Sequence, residues 1–115
     1  MIWLNKEVTI TTHQIDGAIS FYQEAIGLWR CADTDKVSLR GDTGHQLILV
    51  RGEPTESQSI SMMADDLEHF IDSLRTWGVD VTTNPTRQPD GSLLATLRDP
   101  DSNDISVVQS PGTTI

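Results

Sequence analysis

Apolar residues recur along the chain with two different periods, and the switches between them outline its elements. In IDGAISFYQEAIG, Ile15, Ile19, Tyr22 and Ile26 stand at helical spacing and predict one buried stripe. In DDLEHFIDSLRTWG, Leu67, Phe70, Ile71 and Leu74 predict a second. Gly27 and Gly78 follow as C-terminal breakers, and the Asp65/Glu68 pair has the form of an acidic capping box opening the second helix. Strict alternation marks a strand before each helix, Glu7 to Thr11 and Ser59 to Met63. LWRCAD, KVSLRG and HQLILV continue as strands after the first helix, and GVDVTT, SLLATLR and DISVVQ after the second. Asn84 to Gly91 is a polar, proline-marked stretch that predicts a loop between two of them.

The order βαβββ therefore occurs twice. The offset from Glu7 to Ser59 recurs from Ile15 to Leu67 and from Ile19 to Ile71. This predicts an α+β protein with a single domain, residues 1–115, made of two pseudo-repeated modules at about 5–52 and 57–109. Each half is too short to bury enough surface alone, so the halves share one core or pair across a dimer.

Alternation also sorts the faces. Val8 and Ile10, Leu47 and Leu49, Ile60 and Met62, and Ile105 and Val107 form the apolar sets expected beneath the helices. The opposite sets hold Glu7, Thr9 and Thr11; Gln46, Ile48 and Val50; Ser59, Ser61 and Met63; and Asp104, Ser106 and Val108. Periodicity alone leaves two accounts of this mixed face: a sheet side wetted by solvent, or a cavity lined by small polar groups for a small ligand.

Composition narrows the function. Seventeen acidic against eight basic residues, a net charge of −9, lack the basic footprint of a nucleic-acid binder and are compatible with a cationic ligand. No apolar run has the length of a membrane span, and the first residues lack a basic leader with an apolar core, so the cytoplasm is the expected location. Cys31 is the sole cysteine, which excludes an internal disulfide and a CxxC motif; it reads as a packed thiol in a strand. His13 lies in the turn entering the first helix, His45 beside a glycine turn and His69 opposite the second apolar stripe, with no pair at metal-ligand spacing. No G-x-S-x-G elbow or phosphate-binding glycine loop is present. The acidic run RDPDSND starts like a calcium loop, but a loop beginning at Asp99 needs glycine where Asp104 stands and glutamate where Ser110 stands. It reads instead as a tight turn feeding the last strand.

Three stretches carry a family resemblance. Ile19-Ser20-Phe21-Tyr22 through Ile26-Gly27-Leu28 is similar to an FY…LGL helix end, Asp65-Asp66-Leu67 through Gly78-Val79 to a D-D-L…G-V stretch, and Asp99-Pro100-Asp101-Ser102-Asn103 to a D-P-D-G-N turn with serine for glycine. Together they resemble the vicinal oxygen chelate superfamily, which includes glyoxalase I, extradiol dioxygenases and bleomycin-resistance proteins. The resemblance implies that the two βαβββ modules form a curved mixed sheet around a cavity, which favours the pocket account of the mixed face.

In metal-dependent members four strand residues, usually histidine or glutamate, hold a divalent ion. Carried over, those positions fall on Glu7, Ile48, Ser59 and Ser106, with Gln46 or Asp104 reached by a register slip. Such a set lacks the donors of a catalytic transition-metal site. The reading is a member without a metal site, binding a small cationic or aromatic molecule as a homodimer. Its candidate ligand-binding residues are Glu7, Thr9, Thr11, Trp29, Gln46, Ile48, Ser59, Ser61, Asp104 and Ser106. No cofactor is expected, and a divalent metal is the alternative. Trp29 is the candidate stacking group, while Trp3 and Trp77 are assigned to packing. Glu7 is counter-charge, general base or plain surface carboxylate. Two other functions stand beside this one: an enzyme, either a lyase, isomerase or dioxygenase with unusual metal ligands or an acid–base catalyst using Glu7, and a dimeric interaction module without a ligand.

Overall fold

In the computed structural model, residues 2–30, 37–41, 45–53 and 58–111 are described. The strands are β1 (Ile2–Leu4), β2 (Val8–Thr12), β3 (Trp29–Arg30), β4 (Val37–Arg40), β5 (Gln46–Arg51), β6 (Ser59–Ala64), β7 (Asp80–Arg87), β8 (Leu93–Arg98) and β9 (Asp104–Gln109). Helix α1 spans Ile15–Ser20 and widens into a π-helical stretch, Phe21–Ile26; α2 spans Leu67–Thr76. Both helices end where the sequence predicts. Gly27 takes φ 98° and Gly78 takes φ 77°, left-handed conformations that cost a residue without a Cβ nothing in steric strain.

The strands form two hydrogen-bonded sheets, each mixing parallel and antiparallel pairs, ordered β1-β6-β9-β8-β7 and β2-β5-β4-β3. Their registers correspond strand for strand. β2 runs parallel to β5 with Thr9 opposite Ile48, and β6 runs parallel to β9 with Ser61 opposite Ser106. Antiparallel partners then place Ser38 opposite Ile48 and Thr96 opposite Ser106. The offset read between sequence segments thus reappears as equivalent rungs of two ladders.

The apolar sets face inward. Ile10, Leu47, Leu49, Ile60, Met62, Ile105 and Val107 are buried together with Tyr22 and Ile26 of the first helix and Leu67, Ile71 and Leu74 of α2. Each fully buried side chain of the α2 stripe contributes about 1.5–3 kcal/mol of transfer free energy. The small halves thereby draw on one contiguous core, the outcome that surface-to-volume scaling requires of modules this short.

Four details depart from the sequence reading. β1, outside the first module as drawn, is an edge strand of the second module's sheet, with Trp3 opposite Met63. It approaches the strand end after β4 so closely that a Cβ on Gly41 would run into the Ile2 carbonyl and lie 2.8 Å from the Trp3 Cα. The cap of α2 is Asp66, not Asp65: its side chain accepts the His69 amide at 3.2 Å, and the neighbouring Leu67 amide donates to Gln109 Oε1 at 2.8 Å. β7 runs on through Asn84 and Pro85 to Arg87, where a loop was expected. It can do so because β7 is an edge strand whose register shifts between Val81 and Thr86, so the missing proline N–H breaks no interior ladder. Trp77, assigned to packing, is 57% exposed. It caps α2 one turn beyond Ser73, on the flank of the helix rather than on its buried stripe. Cys31 lies outside the described residues.

Candidate functional site

The polar rungs of the two sheets are the first place to look. Thr9 is exposed, Thr11, Gln46 and Ile48 are half-buried, and Glu7 stands exposed just before β2. In the other sheet Ser61 and Ser106 are half-buried rung partners, while Ser59 and its partner Asp104 are exposed. Two of these groups already have company: Ser61 Oγ accepts from Asn5 Nδ2 at 2.7 Å, and Asp104 pairs with Arg98 at 3.3 Å. The structure adds a residue that sequence reasoning missed. Ser38, on the same rung as Ile48 and Thr9, is 1% exposed, and its hydroxyl has no hydrogen-bond partner among the described residues. Alternation in KVSLRG, carried across the ladder, puts Ser38 on that face, so the signal was available once the register was known.

The D-P-D-S-N turn is built around one carboxylate. Asp99 is buried, and its Oδ1 accepts the amides of Asp101 at 2.9 Å and Asn103 at 2.8 Å. Its Oδ2 accepts Asn103 Nδ2 at 2.8 Å and the Tyr22 hydroxyl at 2.5 Å. Ser102 occupies the left-handed region at φ 67°, the position where the resembling motif carries glycine. Two of the stretches that carry the resemblance therefore meet in one contact between the first helix and the turn before β9. Burial, reinforced by the Asp99 charge and hydrogen bond, holds the Tyr22 phenol well above its ordinary pKa. His13 lies 3.9 Å from Asp101 on the exposed side of the same turn, and Gln14 Nε2 donates to Asp101 at 3.2 Å. Both Asp99 oxygens are occupied, so the turn is built on this clasp, while the buried Asp101 Oδ2 has no hydrogen-bond partner among the described residues.

A groove of about 630 Å³ opens elsewhere, between the π-helical stretch and α2. α2 presents Asp66, Phe70, Ser73 and Trp77 to it at spacings of three and four, with His69 beside them; the facing wall comes from Glu24, Ala25 and Ile26. Trp29, 63% exposed at the outer edge of the four-stranded sheet, borders it as well. Of the ten residues singled out in the sequence for ligand binding, Trp29 alone lines this groove; the other nine belong to the polar rungs and their ends.

The donor set at the positions that the family resemblance assigns to a metal lacks the ligands of a transition-metal site. Glu7, Ile48, Ser59 and Ser106 offer one carboxylate, two neutral hydroxyls and an aliphatic side chain, and Gln46 and Asp104 add no imidazole. Among the described residues no group of three or more His, Cys, Asp or Glu side chains converges. Among the described residues no helix is long and apolar enough to cross a membrane.

Comparison with known proteins places this geometry. The sequence model of the Glyoxalase/Bleomycin resistance protein/Dioxygenase superfamily matches residues 6–107. No curated protein matches the chain by sequence. Among solved structures, TnmS3, an antibiotic binding protein from Streptomyces sp. CB03234, is 23% identical over 94% of this chain and 96% of its own, with a TM-score of 0.81. A glyoxalase/bleomycin resistance protein from the same organism is 25% identical over 91% and 99%, with a TM-score of 0.79. Lactoylglutathione lyase from Agrobacterium tumefaciens is 19% identical over 91% and 92%, with a TM-score of 0.74.

Proposed function

The chain belongs to the glyoxalase/bleomycin resistance protein/dioxygenase superfamily, and from that premise we propose that it binds a small organic molecule on the polar rungs of its sheets without a metal ion. The observation that carries the reading is the donor set: the positions that the family resemblance assigns to a metal hold one carboxylate, Glu7, with two hydroxyls and an isoleucine, Ser59, Ser106 and Ile48. Thr9, Thr11, Gln46, Ser61 and Ser106 supply hydroxyl and amide groups that orient a polar ligand, Ile48 supplies apolar contact, and Glu7 serves as counter-charge. The fold is shared with an antibiotic binding protein, which is compatible with a small-molecule ligand here. Pairing of two copies would close the open side of such a face, and a cytoplasmic homodimer is the working form of this proposal.

The test combines metal content with ligand rescue. Protein purified without chelator is expected to carry far less than one equivalent of zinc, nickel, iron or manganese. Adding these ions is expected to leave ligand affinity unchanged, while replacing Ser106 with tryptophan is expected to abolish ligand binding. Stoichiometric metal that is required for binding would defeat the proposal.

A further inference from the structure

We infer that the groove between the π-helical stretch and α2 is a binding site of its own, for an organic cation carrying a flat apolar body. It is distinct from the polar rungs: its walls come mainly from the two helices and their ends, with Trp29 of β3, Ile2 of β1 and Gly41 just after β4. Three observations set the chemistry of the occupant.

The first is the wall. Trp29 and Trp77 are two of the three large apolar side chains found exposed among the described residues, and both border this one groove. Phe70 and Ile26 also line it. Large aromatic faces left in water beside a concavity offer stacking area at little conformational cost, since an indole has only two side-chain torsions to fix.

The second is the charge. Glu24, Asp65 and Asp66 line the groove and are exposed, and among the described residues no lysine or arginine side chain contributes to it. Asp66 is held in place as the α2 cap, accepting the His69 amide with one oxygen, and Glu24 is steadied by the Ser20 hydroxyl at 3.3 Å. Each carboxylate retains acceptor capacity. Aromatic faces beside fixed carboxylates are complementary to a positive charge, which gains both from the ring quadrupole and from the acid. An anion of the same shape would meet repulsion from these groups and from the net charge of −9.

The third is size. A volume of about 630 Å³ lies within the range of pockets that take drug-sized molecules and is larger than a bare metal ion or ammonium needs. The occupant is therefore an aromatic or polycyclic ammonium compound.

Isothermal titration calorimetry of the full chain tests this with (naphthalen-1-ylmethyl)trimethylammonium, its uncharged isostere in which carbon replaces the quaternary nitrogen, and naphthalen-1-ylmethylphosphonate. The cation is expected to bind once per chain, about tenfold more tightly than the neutral compound, with no binding of the anion. Trp77→Ala is expected to weaken the cation about threefold to tenfold while sparing the fold, because the indole is exposed. Asp66→Asn keeps a good helix cap and removes a charge; together with Glu24→Gln it is expected to remove the part of the cation's advantage that these carboxylates supply, leaving the part that the rings supply. Equal affinity for cation and neutral compound would overturn the inference. So would binding unaffected by these variants but lost in Ser106→Trp, which would put the cation on the polar rungs. A dimer, seen by sedimentation equilibrium, that the cation must dissociate in order to bind would equally overturn it, by making the groove an interface. Failure of the metal-free rung site leaves the groove result standing, since the two respond to different variants.

Discussion

Tyr22→Phe isolates the contact that joins the two signature stretches. Tyr22 is fully buried, and its hydroxyl donates to a buried carboxylate that also holds three N–H groups of the turn before β9. Deleting the hydroxyl removes a hydrogen bond to a charged group, worth about 1.5–3 kcal/mol, and leaves the ring packing intact. Because Asp99 keeps its other donors, the expected loss is about 2 kcal/mol, near the middle of that range. For a chain of this size that corresponds to about 8 °C in melting temperature. Urea denaturation at pH 7 measures it directly, with an unchanged m-value. Alkaline titration supplies a second readout, because Tyr22 is the only tyrosine. Its folded pKa lies well above the ordinary value of 10.0. The stability tied to the neutral phenol is therefore fully present below pH 10 and is lost as pH rises above the unfolded value toward the folded one. The native protein should show no tyrosinate absorbance near pH 10–11 until it unfolds, and the alkaline loss should be smaller in Tyr22→Phe. A variant within 0.5 kcal/mol of the parent, taken as about the spread of neutral substitutions, or a tyrosine titrating near 10 in the folded protein, would refute the reasoning.

Three further substitutions probe the scaffold. Ser102→Gly should stabilise by about 0.5–1 kcal/mol in thermal or urea unfolding, since serine bears a left-handed φ of 67° there. Gly41→Ala should cost at least about 1–3 kcal/mol in the same assay, because its methyl meets the Ile2–Trp3 backbone, and hydrogen exchange should show β1 opening first. Asp66→Ala should lose about 1 kcal/mol through the α2 cap while Asp66→Asn stays within a few tenths, a difference readable by urea titration.

What the sequence made legible followed from periodicity. The alternating segments fixed which residues face the core: Ile10, Leu49, Ile60 and Val107 are all buried where alternation put them. The repeated offset anticipated rungs that the two ladders share. Features set by contact between segments were harder to read. β1 has only three residues, too few for a period, and its place beside β6 depends on the close approach at Gly41. Two adjacent aspartates both suit a cap, and the pairing of Leu67 N–H with Gln109 favours Asp66, a contact between residues far apart in sequence. Pro85 signals a loop, yet an edge position makes it harmless. Trp77 looked like core because tryptophan usually is, but it lies beyond the buried stripe and faces the groove. The groove itself depends on how two helices flank each other, and no single segment encodes that. The D-P-D-S-N run reads as a tight turn from sequence alone, and the Tyr22 and Asn103 contacts add the clasp around Asp99.

The central claim is that a small organic ligand is bound without a metal. Thermal unfolding of chelator-treated protein against a panel of cationic, aromatic and neutral metabolites tests it most directly, with each compound run in the presence and absence of EDTA. A ligand at about a hundred times its Kd adds about 2.7 kcal/mol, so at least one compound should raise the melting temperature by several degrees, equally with and without the chelator. Stabilisation that appears only when a divalent transition metal is restored, or no stabilisation by any compound, would contradict the account.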